Sequence, residues 1–396
     1  MRAESRSTVF LIGLLTLIPP LAIDFHLPAM PRMTEDLGTT DSAALMTVSA
    51  CFLGFCIGQL VIGSLSDRVG RRMPLLVGTV AFSLSSFACM LAPSVELLLA
   101  LRTLQGIAGS AALVIARAIV RDLFTGIEAA RVFSALGAIT VIAPILGPPL
   151  GGLLLLWTDW RGLFAALGIA GIALAAMVWI WIPDTLRVEH RTTGGAAGQF
   201  RQYAAVLSRS PFLAVVLANG FAALSLFMYV SMGSHVLQNE YGLSAQGYSL
   251  VFAGGALGML VATQVNRVLL TRGVAVRTLV TLTVSAAVVG SVLVALAALA
   301  HAPRWVLIGA VVIAVMPHGA TVANMFSIGL SPFARGAGTA SALLGSLQFA
   351  FGGIVPPIIA ALAGADAIVM GVTMASTTVV ALAILVVWVR PRPATR

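Results

Sequence analysis

Twelve stretches of about 20 mostly apolar residues, each long enough to cross the hydrocarbon core of a bilayer as a helix, constrain this chain more than any other feature. They are predicted near residues 8–28, 42–65, 73–92, 95–118, 129–155, 162–182, 211–235, 246–270, 276–299, 304–328, 337–361 and 366–389. Away from water every backbone polar group needs an internal partner, so such spans are read as helices and the fold class as an all-α membrane protein. Composition agrees: 59% of the residues are apolar and 9% charged, with a mean hydropathy of +1.02, which no water-soluble domain of this length could present without aggregating. Arg2 and Arg6 precede the first apolar run, as in a signal peptide. The run is too long, however, and reaches Asp24 and Pro28 without a small-residue cleavage site, so it is kept as span 1.

The net charge of +9 is carried by arginine alone, without a lysine. With the spans drawn as above, 19 of the 23 arginines fall on or beside one face; Arg32, Arg161 and Arg304 lie on the other, and Arg102 lies within span 4. That asymmetry is a topology signal, not a nucleic-acid footprint, and it puts the arginine-rich face and both termini in the cytoplasm. Cys51, Cys56 and Cys89 all fall in spans, where they act as small apolar residues and imply neither disulfide nor metal. The absence of lysine rules out a nucleotide-binding P-loop, so no cofactor is expected. Five scattered histidines offer no ligand cluster or nucleophile–base pair, which argues against an enzyme.

The one long polar stretch, Pro183 to Pro211, divides the chain into a bundle over 1–183, a linker over 184–210 and a second bundle over 211–396. Thr193 to Gly198 reads as flexible, and Phe200, Tyr203 and Leu207 recur at helical spacing, predicting a short helix on the inner membrane surface. The halves repeat: Gly137 precedes Pro148-Pro149 by eleven residues and Gly345 precedes Pro356-Pro357 by eleven, an offset of 208. Arg68-x-Gly70 has an echo in Arg272-Gly273 at a similar offset. Two landmarks in register predict a six-plus-six duplication around a central site.

Between spans 2 and 3 lies a single charge cluster, Gly63-Ser-Leu-Ser-Asp67-Arg68-Val-Gly70-Arg71-Arg72. Gly63 permits close approach of a neighbouring helix, and Gly70 allows the positive φ of a tight turn. Asp67 is placed to cap or to pair with an arginine, with Arg68 and Arg71 on the cytoplasmic side. The run resembles the loop 2–3 signature of the major facilitator superfamily. Span 4 carries Arg102-Thr-Leu-Gln105-Gly106, similar to that superfamily's helix 4 signature in proton-coupled exporters. In span 5, Pro144-x-x-Gly147-Pro148-Pro149-x-Gly151-Gly152 resembles the antiporter signature, and small-residue packing without directional meaning is the alternative. The segment Asp24-Phe-His26-Leu-Pro28-Ala-Met-Pro31 narrows the resemblance to bicyclomycin/chloramphenicol-resistance type exporters, twelve-span drug:proton antiporters, with His26 where tyrosine is usual.

Asp24 is the one acid well inside a span, and an unpaired charge there costs several kcal/mol, so it is the leading proton-coupling candidate. The alternative is a carboxylate that caps the outer end of span 1. Arg102 is its expected cationic counterpart, the other reading being a structural arginine on helix-end carbonyls. The resemblance implies a role in proton coupling and substrate electrostatics for Arg102, with Gln105 second. His26, Asn219, Tyr229, Asn324 and Gln348 are candidate substrate contacts, the last four by family architecture alone. Gly63, Asp67, Arg68, Gly70, Arg71, Gly147, Pro148, Gly151 and Gly152 are candidate gating residues. The resemblance thus implies an inner-membrane exporter, expected as a monomer, that exchanges small hydrophobic drugs for protons. An uptake symporter or metabolite exporter on the same fold remains as the alternative, and a membrane enzyme or sensor as a more distant one.

Overall fold

The computed structural model describes residues 3–124, 126–186, 189, 191, 196–333 and 337–388. Among them are helices and no strand. Twelve helical spans are long and apolar enough to cross a membrane: Thr8–Asp36, Asp41–Val69, Arg72–Met90, Val95–Leu123, Arg131–Leu154, Trp160–Trp181, Ser210–Glu240, Ala245–Thr271, Val276–Leu299, Arg304–Leu330, Gly338–Ala363 and Ala367–Val387. They match the predicted twelve in order and number, and are called spans 1 to 12 below.

Span 1 departs from its prediction. Instead of ending at Pro28 it continues to Asp36, in pieces: Ala3–Leu15, Ile18–Asp24, a 3-10 turn at Leu27–Ala29, and Met30–Asp36. Proline explains both the breaks and the continuation. Each later piece carries a proline at its first or second position, where the missing N–H costs no hydrogen bond, so the chain restarts rather than stops. Span 10 breaks likewise at Met316-Pro317, between Arg304–Val315 and His318–Leu330. Span 5 does the opposite: its helix, Gly126–Leu154, runs unbroken through Pro144, Pro148 and Pro149.

The chain divides into two compact units, residues 1–196 with 242–253, and 197–241 with 254–396. In the first, span 3 packs against spans 4 and 6; in the second, span 9 packs against spans 10 and 12. The duplication is therefore present as matching neighbours within each unit. Small residues set the close contacts: a Cβ on Gly54 of span 2 would lie 2.9 Å from Gly106 Cα of span 4, and one on Gly371 of span 12 would lie 2.8 Å from Ala295 Cα of span 9. Between spans 6 and 7 the expected short helix is present as Ala196–Leu207, with Tyr203 buried. Of the predicted flexible linker, residues 193–195 lie outside the described residues, as do Arg2, Arg390, Arg392 and Arg396 of the topology argument.

Candidate functional site

The breaks in span 1 place Asp24 at the end of one helical piece and His26 at the start of the next turn, both buried. Glycines on span 5 let that irregular backbone approach. A Cβ on Gly147 would sit 3.6 Å from Asp24 Cβ, ordinary contact, whereas one on Gly151 would collide with the Phe25 carbonyl. A Cβ on Gly152 would come within 2.6 Å of Ser249 Oγ, at the start of span 8, where Gln246 also donates to the Gly152 carbonyl. Pro148 is buried beside Gly147. The small face of span 5 thus packs against the broken part of span 1.

Arg102 is wholly buried and acts as a hub. Its Nη1 donates to the Ala22 carbonyl of span 1 at 2.8 Å and to Gln105 Oε1 at 2.5 Å, and its Nε donates to the Thr47 carbonyl of span 2 at 3.3 Å. Gln105 Nε2 continues to Ser86 Oγ of span 3 at 2.7 Å. The guanidinium lies 5.5 Å from the Phe164 ring centroid of span 6, and the same ring lies 5.5 Å from that of His26. Spans 1, 2, 3, 4 and 6 therefore meet around one cation. The expected direct pairing of Arg102 with Asp24 is not found: among the described residues no ion pair joins them. Arg102 holds the backbone two residues before the acid instead, because the freed carbonyl of a broken helix is itself a strong acceptor. Neither ring nitrogen of His26, nor Arg102 Nη2, has a partner among the described residues.

In the second unit the structure brings some candidates together and separates others. Asn219 Nδ2 donates to Gln348 Oε1 at 3.3 Å, and Asn219 Oδ1 has no partner among the described residues. Phe221 and Phe351 stack edge to face beside them at 5.2 Å, and Phe227 and Phe349 stack at 5.9 Å. Tyr229 is buried further along span 7, against Gly233. Asn324 forms a reciprocal amide pair with Asn266 of span 8, at 2.9 and 3.1 Å, both residues buried. Neither Asn266 nor the four phenylalanines was singled out from sequence. Phe221 and Phe227, and Phe349 and Phe351, do not recur at helical spacing, so the periodicity did not mark them, and the partner of Asn324 lies on another span.

At the loop between spans 2 and 3, Arg71 is the centre. Its side chain reaches Asp67 Oδ1 at 2.5 Å, Asp122 Oδ2 at 2.9 Å and Ser66 Oγ at 2.9 Å, while its backbone N–H donates to Asp184 Oδ1 at 2.9 Å. Burial opposes its charge, but the bonds to Asp122 and Asp67 outweigh it and raise its pKa above the ordinary arginine value. Arg68 is exposed. Gly70 has φ +104°, as the turn requires, and a Cβ there would meet the Asp184 carboxylate and lie 2.9 Å from Arg191 Nη2. Gly63 faces Val114 of span 4, 3.3 Å from where its Cβ would be. Asp122 and Asp184 escaped the sequence reading because they lie far along the chain, next to Arg121 and Pro183 at span ends where charges are ordinary.

Twelve spans in two matching bundles, with a buried arginine hub in the first, are the architecture of a membrane transporter. The chain belongs to the Major Facilitator Superfamily, whose family model matches residues 12–357. It is 33% identical over 383 residues to an uncharacterized MFS-type transporter, YdgK, of Bacillus subtilis strain 168, covering 95% of this chain and 94% of that one. A bicyclomycin resistance protein homolog of Haemophilus influenzae is 26% identical over 384 residues, 96% of each chain. A chloramphenicol resistance protein of Pseudomonas aeruginosa is 35% identical over 260 residues, 65% of this chain and 61% of that one. The solved structure of the nucleoside transporter NupG superposes with a TM-score of 0.76 at 10% identity, covering 97% of this chain and 99% of that one, a likeness of fold alone.

Proposed function

We infer that this protein exports small apolar antibiotics, amphenicol-like or bicyclomycin-like, in exchange for protons. It does so by alternating access of its halves, residues 1–183 and 211–396 joined by the 184–210 linker, as a monomer in a bacterial inner membrane with both termini in the cytoplasm. The observation that carries this reading is the setting of Asp24. It is a buried carboxylate at a helix break, packed on the Gly147 face of span 5 and two residues from a carbonyl gripped by Arg102. An acid so placed is costly when charged and unpaired, so its charge state follows whatever water, drug or cation reaches it. The resistance proteins among its relatives support the drug class.

In this scheme drug enters from the cytoplasm or inner leaflet and favours loss of a proton from Asp24. The halves then rock, and external protons displace the drug and reset the carrier. Arg102 sets the electrostatics at a fixed position, because several carbonyl and amide acceptors hold it, and Gln105 braces it. His26, Asn219, Tyr229 and Gln348 supply hydrogen bonds to drug, with Phe221 and Phe351 as apolar walls; Asn324 serves there only when its pair with Asn266 opens. On the cytoplasmic side Gly63, Asp67, Arg68, Gly70 and Arg71 form the latch, and Gly147, Pro148, Gly151 and Gly152 allow span 5 to slide on span 1 and on the start of span 8.

Two measurements test this. Expression in a pump-deficient bacterium is expected to raise tolerance to chloramphenicol or florfenicol above tolerance to permanently charged tetraphenylphosphonium, since Asp24 and Arg102, the buried acid and cation around the span 1 break, leave little net charge there. Protection against the cation alone overturns the substrate class. In everted vesicles the drug is expected to release protons, and Asp24→Asn to abolish release while Asp24→Glu retains part of it, at equal membrane abundance. Drug-driven proton release by the Asn variant sinks the coupling assignment, and proton-driven drug entry into whole cells would mark an uptake symporter.

A further inference from the structure

His318 is the first residue of the second piece of span 10, just after the Met316-Pro317 break. It is buried, and its ring bridges two helices: Nδ1 lies 3.1 Å from the Val315 carbonyl at the end of the preceding piece, and Nε2 lies 2.9 Å from the Ala222 carbonyl of span 7. Carbonyl oxygens only accept hydrogen bonds. A neutral imidazole has one N–H and one lone pair, so with a carbonyl on each side it satisfies one contact and points a lone pair at the other oxygen. Only the imidazolium donates to both.

We propose that His318 is a proton-binding site, distinct from Asp24, at which proton uptake closes a two-donor bridge between the span 10 break and span 7. The proton adds to whichever ring nitrogen holds the lone pair; no other bond changes. Deprotonation leaves one contact without a hydrogen and frees the break on that side. The surroundings make the two carbonyls the groups that answer to this proton. The piece His318–Leu330 packs against spans 7, 9 and 11, and the adjoining Gly319 meets Met259 and Thr263 of span 8. On span 7 the titratable groups are Tyr229, buried two turns beyond Ala222, and His235 and Glu240 at the far end. Span 9 carries only Arg277, at its first turn, while span 8 carries an exposed Arg267 and, past its end, Arg272. Span 11 has no charged or titratable residue. Among the described residues of these spans no charged group is placed beside the ring, so a change at His318 is read locally, by the helix break. The second piece of span 10 is tied to span 8 further along by the Asn266–Asn324 pair, so the His318 bridge acts at its other end, beside the break.

The test is nitrogen NMR of histidine-labelled full-length protein in lipid nanodiscs, titrated over about pH 5 to 8, the range in which histidine changes charge. His318→Gln identifies the signal; should that variant not fold, Gln variants at His26, His190, His235 and His301 identify it by exclusion. The expected result is one protonated ring nitrogen at the alkaline end and two at the acidic end. A ring that keeps a single protonation state throughout overturns the proposal. Spin labels on spans 7 and 10 supply the second readout: their separation should shift with pH in the parent protein, and a separation constant across that titration overturns the hinge role.

Discussion

The Asn266–Asn324 pair separates a structural polar contact from a substrate contact, and its energetics can be worked from the geometry. The two side chains exchange two amide hydrogen bonds inside the bilayer-spanning part of the protein, at 2.9 and 3.1 Å. Interhelical hydrogen bonds in membranes average about 0.6 kcal/mol and reach about 1.7 kcal/mol, so the reciprocal pair should couple by about 1–2 kcal/mol. Either single change, Asn266→Leu or Asn324→Leu, strands a buried amide and should cost about 1–3 kcal/mol. The double Leu variant removes both polar groups together and should recover most of that loss, because two apolar side chains of similar size fill the space. The assay is a double-mutant cycle by reversible unfolding in mixed micelles, with drug binding measured on each variant. Coupling below about 0.3 kcal/mol, the ordinary error of additivity, would refute the paired reading. So would a loss of drug affinity in Asn324→Leu that Asn266→Leu does not share, which would return Asn324 to the drug site.

Arg102→Lys should lower stability by about 1–3 kcal/mol, because an ammonium cannot reproduce the fork that reaches Ala22, Thr47 and Gln105; a thermal-shift series and the pH profile of transport check it, and unchanged values in both would make the arginine peripheral. Asp122→Asn should weaken the Arg71 cluster and raise labelling of engineered cytoplasmic-side cysteines, with drug affinity nearly intact; constant labelling with reduced affinity would show that the loop is no latch. Gly70→Ala should impair the same cluster, since the added methyl enters the Asp184 carboxylate at a φ that side chains avoid, at about 1–2 kcal/mol. Gly152→Val should slow turnover more than Gly137→Val, because the first crowds Ser249 while the second meets open space; equal rates in vesicle transport would remove span 5 packing from the mechanism.

The amino-acid sequence by itself determined the twelve spans, the duplication, the turn at Gly70 and the singling out of Asp24. These follow from local properties: hydrophobic length, a glycine where φ must be positive, and a carboxylate within apolar text. It did not determine where span 1 would end, because proline stops a helix in one context and starts the next piece in another, and the choice at Pro28 and Pro31 depends on what the following turn packs against. Nor did it determine partners. Arg102 bonds to Ala22, Asn324 to Asn266 and Arg71 to Asp184, at sequence separations of 80, 58 and 113. Helical periodicity says which residues share a face of one helix, whereas the rotation and depth of each helix against its neighbours decide which acceptor a buried donor meets. In a bilayer, where lipid tails are as apolar as leucine, those rotations are set by small-residue contacts such as Gly54 with Gly106 and by the polar pairs themselves, so they come into being only when the helices are packed together.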